Sequence, residues 1–196
     1  MNFLTKTIKH FNTVMTHKKW VFYYCRKAGI TWRGITHDLS KFSPTEFWES
    51  VKYYQGNRSP IDACKEANGY SRAWFHHRGR NSHHYEYWTD NYDNGGKALK
   101  MPFEDALEML CDYLGAGRAY MKDKFTYTGE FEWWLKKAAK PILMHPHTRG
   151  FIFVALAALD FSERVGEPDI LKHFNKKELK YLYDHITEDG RYEPKL

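Results

Sequence analysis

At 196 residues the chain has the length of one domain, 1–196, and is long enough to bury a sizeable core. A hydrophobic content of 42% with 17% aromatic residues excludes a disordered chain. The net charge of +6, with a sequence pI of about 9.0, favours anionic partners such as nucleotides, nucleic acid or phosphorylated metabolites.

The predicted elements are almost all helices. Over 3–28, Leu4, Phe11, Val14, Val21 and Cys25 share one face, and Gly29 supplies the stop. Ser43-Pro44-Thr45-Glu46 is a capping box with proline at the first helical position, so a helix runs from 44 to about 55. Ser59-Pro60-Ile61-Asp62 repeats the start signal and opens a helix towards His77. The segment 89–100 reads as a surface loop, and a helix over 102–120 carries Leu107, Leu110 and Leu114 at helical spacing. The segment 121–129 reads as a second loop, and 125–131 is the single weak strand candidate. Further helices are predicted over 130–140, ended by Pro141, and over 148–164, which is the most apolar and is expected to be the most buried. A last one spans 176–187, stopped by Gly190. The core is expected over about 8–150, with the helices of 150–190 packed on it. The fold class is therefore all-α.

The longest apolar run, 151–159, is nine residues, short of the roughly 20 that a spanning helix needs, so no membrane partner is expected. The amino-terminal stretch lacks a signal-peptide core. Cys25, Cys64 and Cys111 are scattered without C-x-x-C spacing and read as free thiols of a cytoplasmic protein.

The histidines are unevenly placed. Seven of the eleven lie in the first 84 residues: His10, His17, His37, His76, His77, His83 and His84. His17 lies on the apolar stripe between Val14 and Val21, where an inward imidazole needs a partner. His10, on the same stripe two turns away, reads as a core histidine. In His37-Asp38-Leu39-Ser40-Lys41 the first two residues diverge by about 100° on a helix, yet both reach one ion where the backbone turns. Lys41 is placed to meet a phosphate oxygen, or simply to pair with Asp38. The segment 73–88 holds four histidines. On one unbroken helix His77 and His84 would stand about 10 Å apart, but Gly79 and Asn81-Ser82 predict a turn that brings the pairs together. His76 and His83 are the alternatives to His77 and His84 as ligands. Glu108 and Asp112 share a helix face four residues apart, whereas Glu104 and Asp105 read as a solvated acidic face.

The chain order His17, His37-Asp38, His77, His84, Asp112 resembles the H…HD…H…H…D pattern of the HD-domain superfamily, and His-Asp-Leu-Ser-Lys resembles its HD-x-x-K variant. A closer likeness is to an uncharacterised family of phage and bacterial proteins of unknown function. It rests on His17-Lys18, the run from His37 to Phe47, Asn81-x-His-His84, Glu108-Met-Leu-Cys-Asp112 and His145-Pro-His-Thr148. The superfamily resemblance implies an HD-like helical bundle holding one or two divalent ions (Mn, Fe, Co, Mg or Zn) in a metal-dependent phosphohydrolase of nucleotides or other small phosphoesters. It implies that His17, His37, Asp38 and Asp112 hold a first ion. Asp38 would bridge to a second ion on His77 and His84, and Lys41 would act on the phosphoryl charge. Glu108 would orient a ligand imidazole, and Arg78, Arg80 and Arg149 are candidate phosphate contacts. A di-iron oxygenase of the same superfamily uses the same ligands. A non-enzymatic protein binding nucleic acid or nucleotides is the third expectation. A phage-encoded member would work in the host cytoplasm.

Overall fold

The computed structural model describes residues 1–90, 93 and 95–194. Asn91, Tyr92 and Asn94 of the predicted 89–100 loop lie outside the described residues. Among those described there are nine α-helices and no strand, only isolated bridges joining Thr89 to Ala98 and Ile186 to Tyr192. The fold is an all-α bundle. Among the described residues, no helix is long and apolar enough to cross a membrane.

The first helix, α1 (Phe3–Lys27), starts where Asn2 accepts a hydrogen bond from Thr5 N and ends before Gly29, whose φ of +77° suits a residue without a Cβ. Its buried stripe is His10, Val14, His17, Val21, Tyr24 and Cys25. Leu4 and Phe11, expected on this face, are exposed, because the first turns run past the core. There Phe3 stacks on Trp48 and Phe11 tilts against Phe42 instead.

The core is organised around α6 (Phe103–Met121), in which every residue from 105 to 115 is buried. The helix at 148–164, α8 (Pro146–Arg164), keeps one open face and is less buried than α6, contrary to expectation. A helix covered on one side needs only an apolar stripe, whereas α6 is covered by α1, α7, α8 and α9. Full enclosure places its Asp105, Glu108 and Asp112 inside the protein, so Asp105 belongs to no solvated face.

Two close approaches set the frame of the site. A Cβ on Gly115 of α6 would stand 2.5 Å from Val21 Cγ2 and 2.9 Å from Val21 N, so α1 and α6 touch through bare backbone. A Cβ on Gly34 would meet Cys25 Cβ at 2.7 Å, which seats the short α2 (Thr31–Thr36) on α1. The helix α3 (Pro44–Tyr53) opens as predicted, with Ser43 Oγ accepting from Glu46 N. The helix predicted from Pro60 towards His77 is two helices, α4 (Pro60–Asn68) and α5 (Arg72–Arg78). Gly69, at φ +79°, terminates the first, and Ser71 caps the second through Trp74 N. The weak strand candidate at 125–131 is a Thr126 cap followed by α7 (Tyr127–Ala138). The last helix is α9 (Lys176–Asp184).

Gly115→Ala is expected to lose about 1–3 kcal/mol of stability through overpacking against Val21, read as a lower urea midpoint. Wild-type stability in this variant would mean that α1 and α6 do not depend on the close approach.

Candidate metal centre

The His37–Asp38 pair sits where α2 ends. Asp38 adopts a left-handed backbone (φ +55°, ψ 28°) before a 3₁₀ turn over Leu39–Phe42. Asp tolerates this region better than most side chains, and strain of this kind persists where surrounding packing enforces it. The turn swings two adjacent side chains towards one point. Both are buried, at 1% exposure each.

Four donors converge there. Asp38 Oδ2 lies 3.4 Å from His17 Nε2 and 3.2 Å from His37 Nε2, and Asp112 Oδ1 lies 3.0 and 3.3 Å from the same two nitrogens. Donors about 2.1 Å from one ion stand about 3.0–3.4 Å apart at octahedral to tetrahedral angles, so this spacing is that of a coordination shell. The other oxygen of Asp38 faces a second group: Oδ1 lies 3.3 Å from both His77 Nε2 and His83 Nε2, and His84 completes the set. The two donor groups therefore share one carboxylate, with an oxygen turned to each.

The unmet bonding capacity of the cluster fits cations. Among the described residues, Nε2 of His17, His37, His83 and His84, together with Asp38 Oδ1, is buried without a hydrogen-bond partner. Each orphaned polar atom of this kind costs roughly 1–3 kcal/mol, and lone pairs aimed at a common point are satisfied together by a metal ion.

A layer of carboxylates stands behind the imidazoles. Glu108 Oε1 faces Nδ1 of His37 at 2.9 Å and Nδ1 of His83 at 3.2 Å, while Arg33 Nη1 donates to Glu108 Oε2 at 2.8 Å and to Asp105 Oδ1 at 2.9 Å. Glu46 takes Nδ1 of His77 at 2.7 Å and Nδ1 of His76 at 2.6 Å. Donation from Nδ1 fixes the tautomer that leaves Nε2 free to coordinate. Burial opposes the ionised form of Glu108, but hydrogen bonds from His37 and His83 hold it well below the usual carboxylate range. Burial lowers the pKa of His77, yet Asp38 and Glu46 outweigh it and hold the ring up to about 9. Desolvation, and then the neighbouring His83 and His77, hold the half-buried His84 well below the ordinary value, so it is neutral.

Of the residues singled out from the sequence, His17, His37, Asp38, His77, His84 and Asp112 come together, and Glu108 stands behind His37. The predicted turn after Gly79 places His77 and His84 rings 4.8 Å apart. His76 is turned to Glu46, and His83 joins the cluster alongside His84 rather than replacing it. Lys41 Nζ pairs with Asp38 Oδ2 at 2.5 Å and also lines a cavity of about 220 Å³ beside the cluster. His10, read as a core histidine, lies on the wall of that cavity, where burial and the nearby Lys41 lower it to about 4. The candidate phosphate contacts are placed elsewhere. The Arg78 guanidinium lies over Phe75, Arg80 bonds the His76 carbonyl, and Arg149 bonds the Ala138 carbonyl and lines a different cavity. Sequence reasoning missed Glu46, Arg33 and Lys18, whose ammonium donates to the His37 carbonyl. Glu46 was visible only as a capping residue, and no local pattern announces a partner 31 residues away.

A model of a family of unknown function, DUF5662, matches residues 6–158. The chain belongs to the DUF5662 family. The match spans α1 to the middle of α8 and so contains every donor of both groups in this DUF5662 member. No curated protein and no solved structure matches the chain.

Because a ligating imidazole must be neutral, an ion competes with the proton that Asp38 and Glu46 favour on His77. Apparent affinity for Mn²⁺ or Zn²⁺, measured by calorimetry, is expected to fall from pH 8 to pH 6 by about tenfold per unit for each proton displaced. An affinity flat across that range would contradict coordination by the histidines.

Proposed function

We propose that the protein is a metal-dependent phosphohydrolase acting on a nucleotide or another small phosphoester. The observation that carries the reading is the sharing of Asp38 by two donor groups beside a cavity whose wall bears Lys41. The resemblance to the HD-domain superfamily supports it. Imidazole and carboxylate donors without thiolate suit Mn, Fe, Co or Zn better than Mg.

An ion held by these residues would lower the pKa of a bound water towards neutrality and act as a Lewis acid towards a phosphoryl oxygen. The chain's own groups do the rest. Asp38 holds the two groups in register through its two oxygens. Lys41, the only Lys or Arg among the described residues lining the cavity, stays charged: burial works against its ammonium, but Asp38 and Asp112 more than offset that. It is placed to stabilise charge developing on a phosphoryl group. Glu108 and Glu46 are positioning residues that orient the His37, His83 and His77 rings. The apolar part of the wall, with Val14, Ile61 and Trp74, would take the uncharged part of a small substrate and exclude water. A cytoplasmic location fits the same reading, since Cys25, Cys64 and Cys111 are free thiols.

The imidazole-rich donor set also favours a second reading, a di-iron oxygenase, which needs the same ligands. Anaerobically prepared iron-loaded protein with a mixed-valent paramagnetic signal and oxygen uptake on substrate addition would select it.

Protein loaded with Mn²⁺, Co²⁺ or Fe²⁺ is expected to release phosphate from at least one member of a panel of nucleotides and phosphomonoesters. Asp38→Ala is expected to lose both ions and all turnover. Lys41→Ala is expected to keep the ions while kcat falls by about 10²–10³. Full ion occupancy with no turnover of any member would contradict the hydrolase reading.

A further inference from the structure

A second cavity, about 530 Å³, lies between α4, α6 and α7 and shares Ser59, Ala116 and Tyr120 with the cavity at the metal centre. Its distinguishing feature is Glu130. The residue is 7% exposed, and among the described residues its carboxyl has no hydrogen-bond or ion-pair partner. A position in the first turn of α7 explains an exposed carboxylate next to free N–H groups. It does not explain one on a buried residue, opening on a cavity without a protein partner. Gly117 makes the room, because a Cβ there would stand 2.0 Å from Glu130 Oε2.

The charges around the cavity leave Glu130 alone. Arg58 is engaged by both oxygens of Glu66, at 2.5 and 2.6 Å, Asp62 is itself an acid, and Lys124 lies in an exposed 3₁₀ turn. Burial, then the charge of Asp112, push the Glu130 carboxyl up to about 8, so at neutral pH it is an acid carrying one O–H donor and one C=O acceptor. Aromatic side chains line the same space: Trp133, Tyr120 and Phe125. A flat ligand between rings, with a donor beside an acceptor on its edge, meets every one of these features.

We propose that this cavity is a nucleobase subsite, in which Glu130 pairs with a base edge offering a donor beside an acceptor while Trp133 and Tyr120 flank the ring. The inference rests on the phosphohydrolase reading only where it joins the two cavities. A nucleotide would lie past Tyr120, with its base at Glu130 and its phosphate at Lys41 and the metal donors. Base binding itself needs no metal.

The test is calorimetry on the metal-free full chain with adenosine, with purine riboside, which lacks the exocyclic amine, and with butylammonium. Adenosine is expected to bind about tenfold more tightly than purine riboside, since the analogue leaves a buried polar group unpaired. Glu130→Ala is expected to lose that tenfold preference. Glu130→Gln should keep it within about threefold, because a neutral amide offers the same donor and acceptor. Circular dichroism of both variants should match the wild type, and the folded Gln variant keeps the test valid should the Ala variant unfold. Absence of nucleoside binding, or equal binding of the two purines, would overturn the proposal. So would butylammonium binding that disappears in Glu130→Gln, which would make the cavity a cation site. In the metal-loaded protein, Glu130→Ala is expected to raise KM for a nucleotide about tenfold with kcat unchanged. Nucleoside binding without any phosphate release would sink the hydrolase reading alone, and phosphate release without base preference would sink this subsite alone.

Discussion

The organisation of this protein depends on one buried anion. Asp38 is 1% exposed, stands on a left-handed turn and points each oxygen at a separate set of imidazole nitrogens. An ionised carboxylate removed from water costs several kcal/mol unless charge and hydrogen bonds are returned to it. The direct ion pair is with Lys41, through one oxygen. Burial works against the ionised form, but His37, Lys41 and His77 hold the carboxyl well below its usual range. The surrounding structure is arranged so that the anion persists where water cannot reach it.

That requirement accounts for the layers behind it. The histidines that face Asp38 are held by a second ring of acids: Glu108 for His37 and His83, and Glu46 for His77. Those acids are themselves buried, and Arg33 balances one side by joining Glu108 and Asp105. Ser40 and Asn81 surround His77 on the other side. Four segments distant in sequence must therefore meet to within tenths of an ångström. The backbone contacts at Gly115 and Gly34 are what allow α1, α2 and α6 to come that close. Polar networks of this depth are rigid when satisfied and costly when one member is lost.

Much of this was legible in the sequence, for physical reasons that differ by residue. His17 could be read because a polar ring on an apolar stripe faces inward whatever the fold. His37 and Asp38 could be read because adjacent ligands require a turn, and the helix start at Ser43 implied one nearby. The break after Gly79 was visible in its turn residues, and the participation of both His83 and His84 was not, because it depends on how the turn is oriented in space. Leu4 and Phe11 were misread because periodicity gives a face but not how far the core extends along it. Asp105 was misread as solvated, and Glu46 was legible only as a cap, for a related reason: their partners, Arg33 and His77, are far away in the chain. The split of α4 from α5 was a missed left-handed cap at Gly69.

We propose that Asp38 is a carboxylate shared by two ions, and diffraction from crystals grown with Mn²⁺ distinguishes this from a carboxylate paired to Lys41 alone. An anomalous difference map is expected to show two peaks, roughly 3.5–4 Å apart, on either side of Asp38. One would be bonded to His17, His37 and Asp112, the other to His77 with His83 or His84. A map with no peak at Asp38, with its carboxylate paired to Lys41 alone, would contradict the claim.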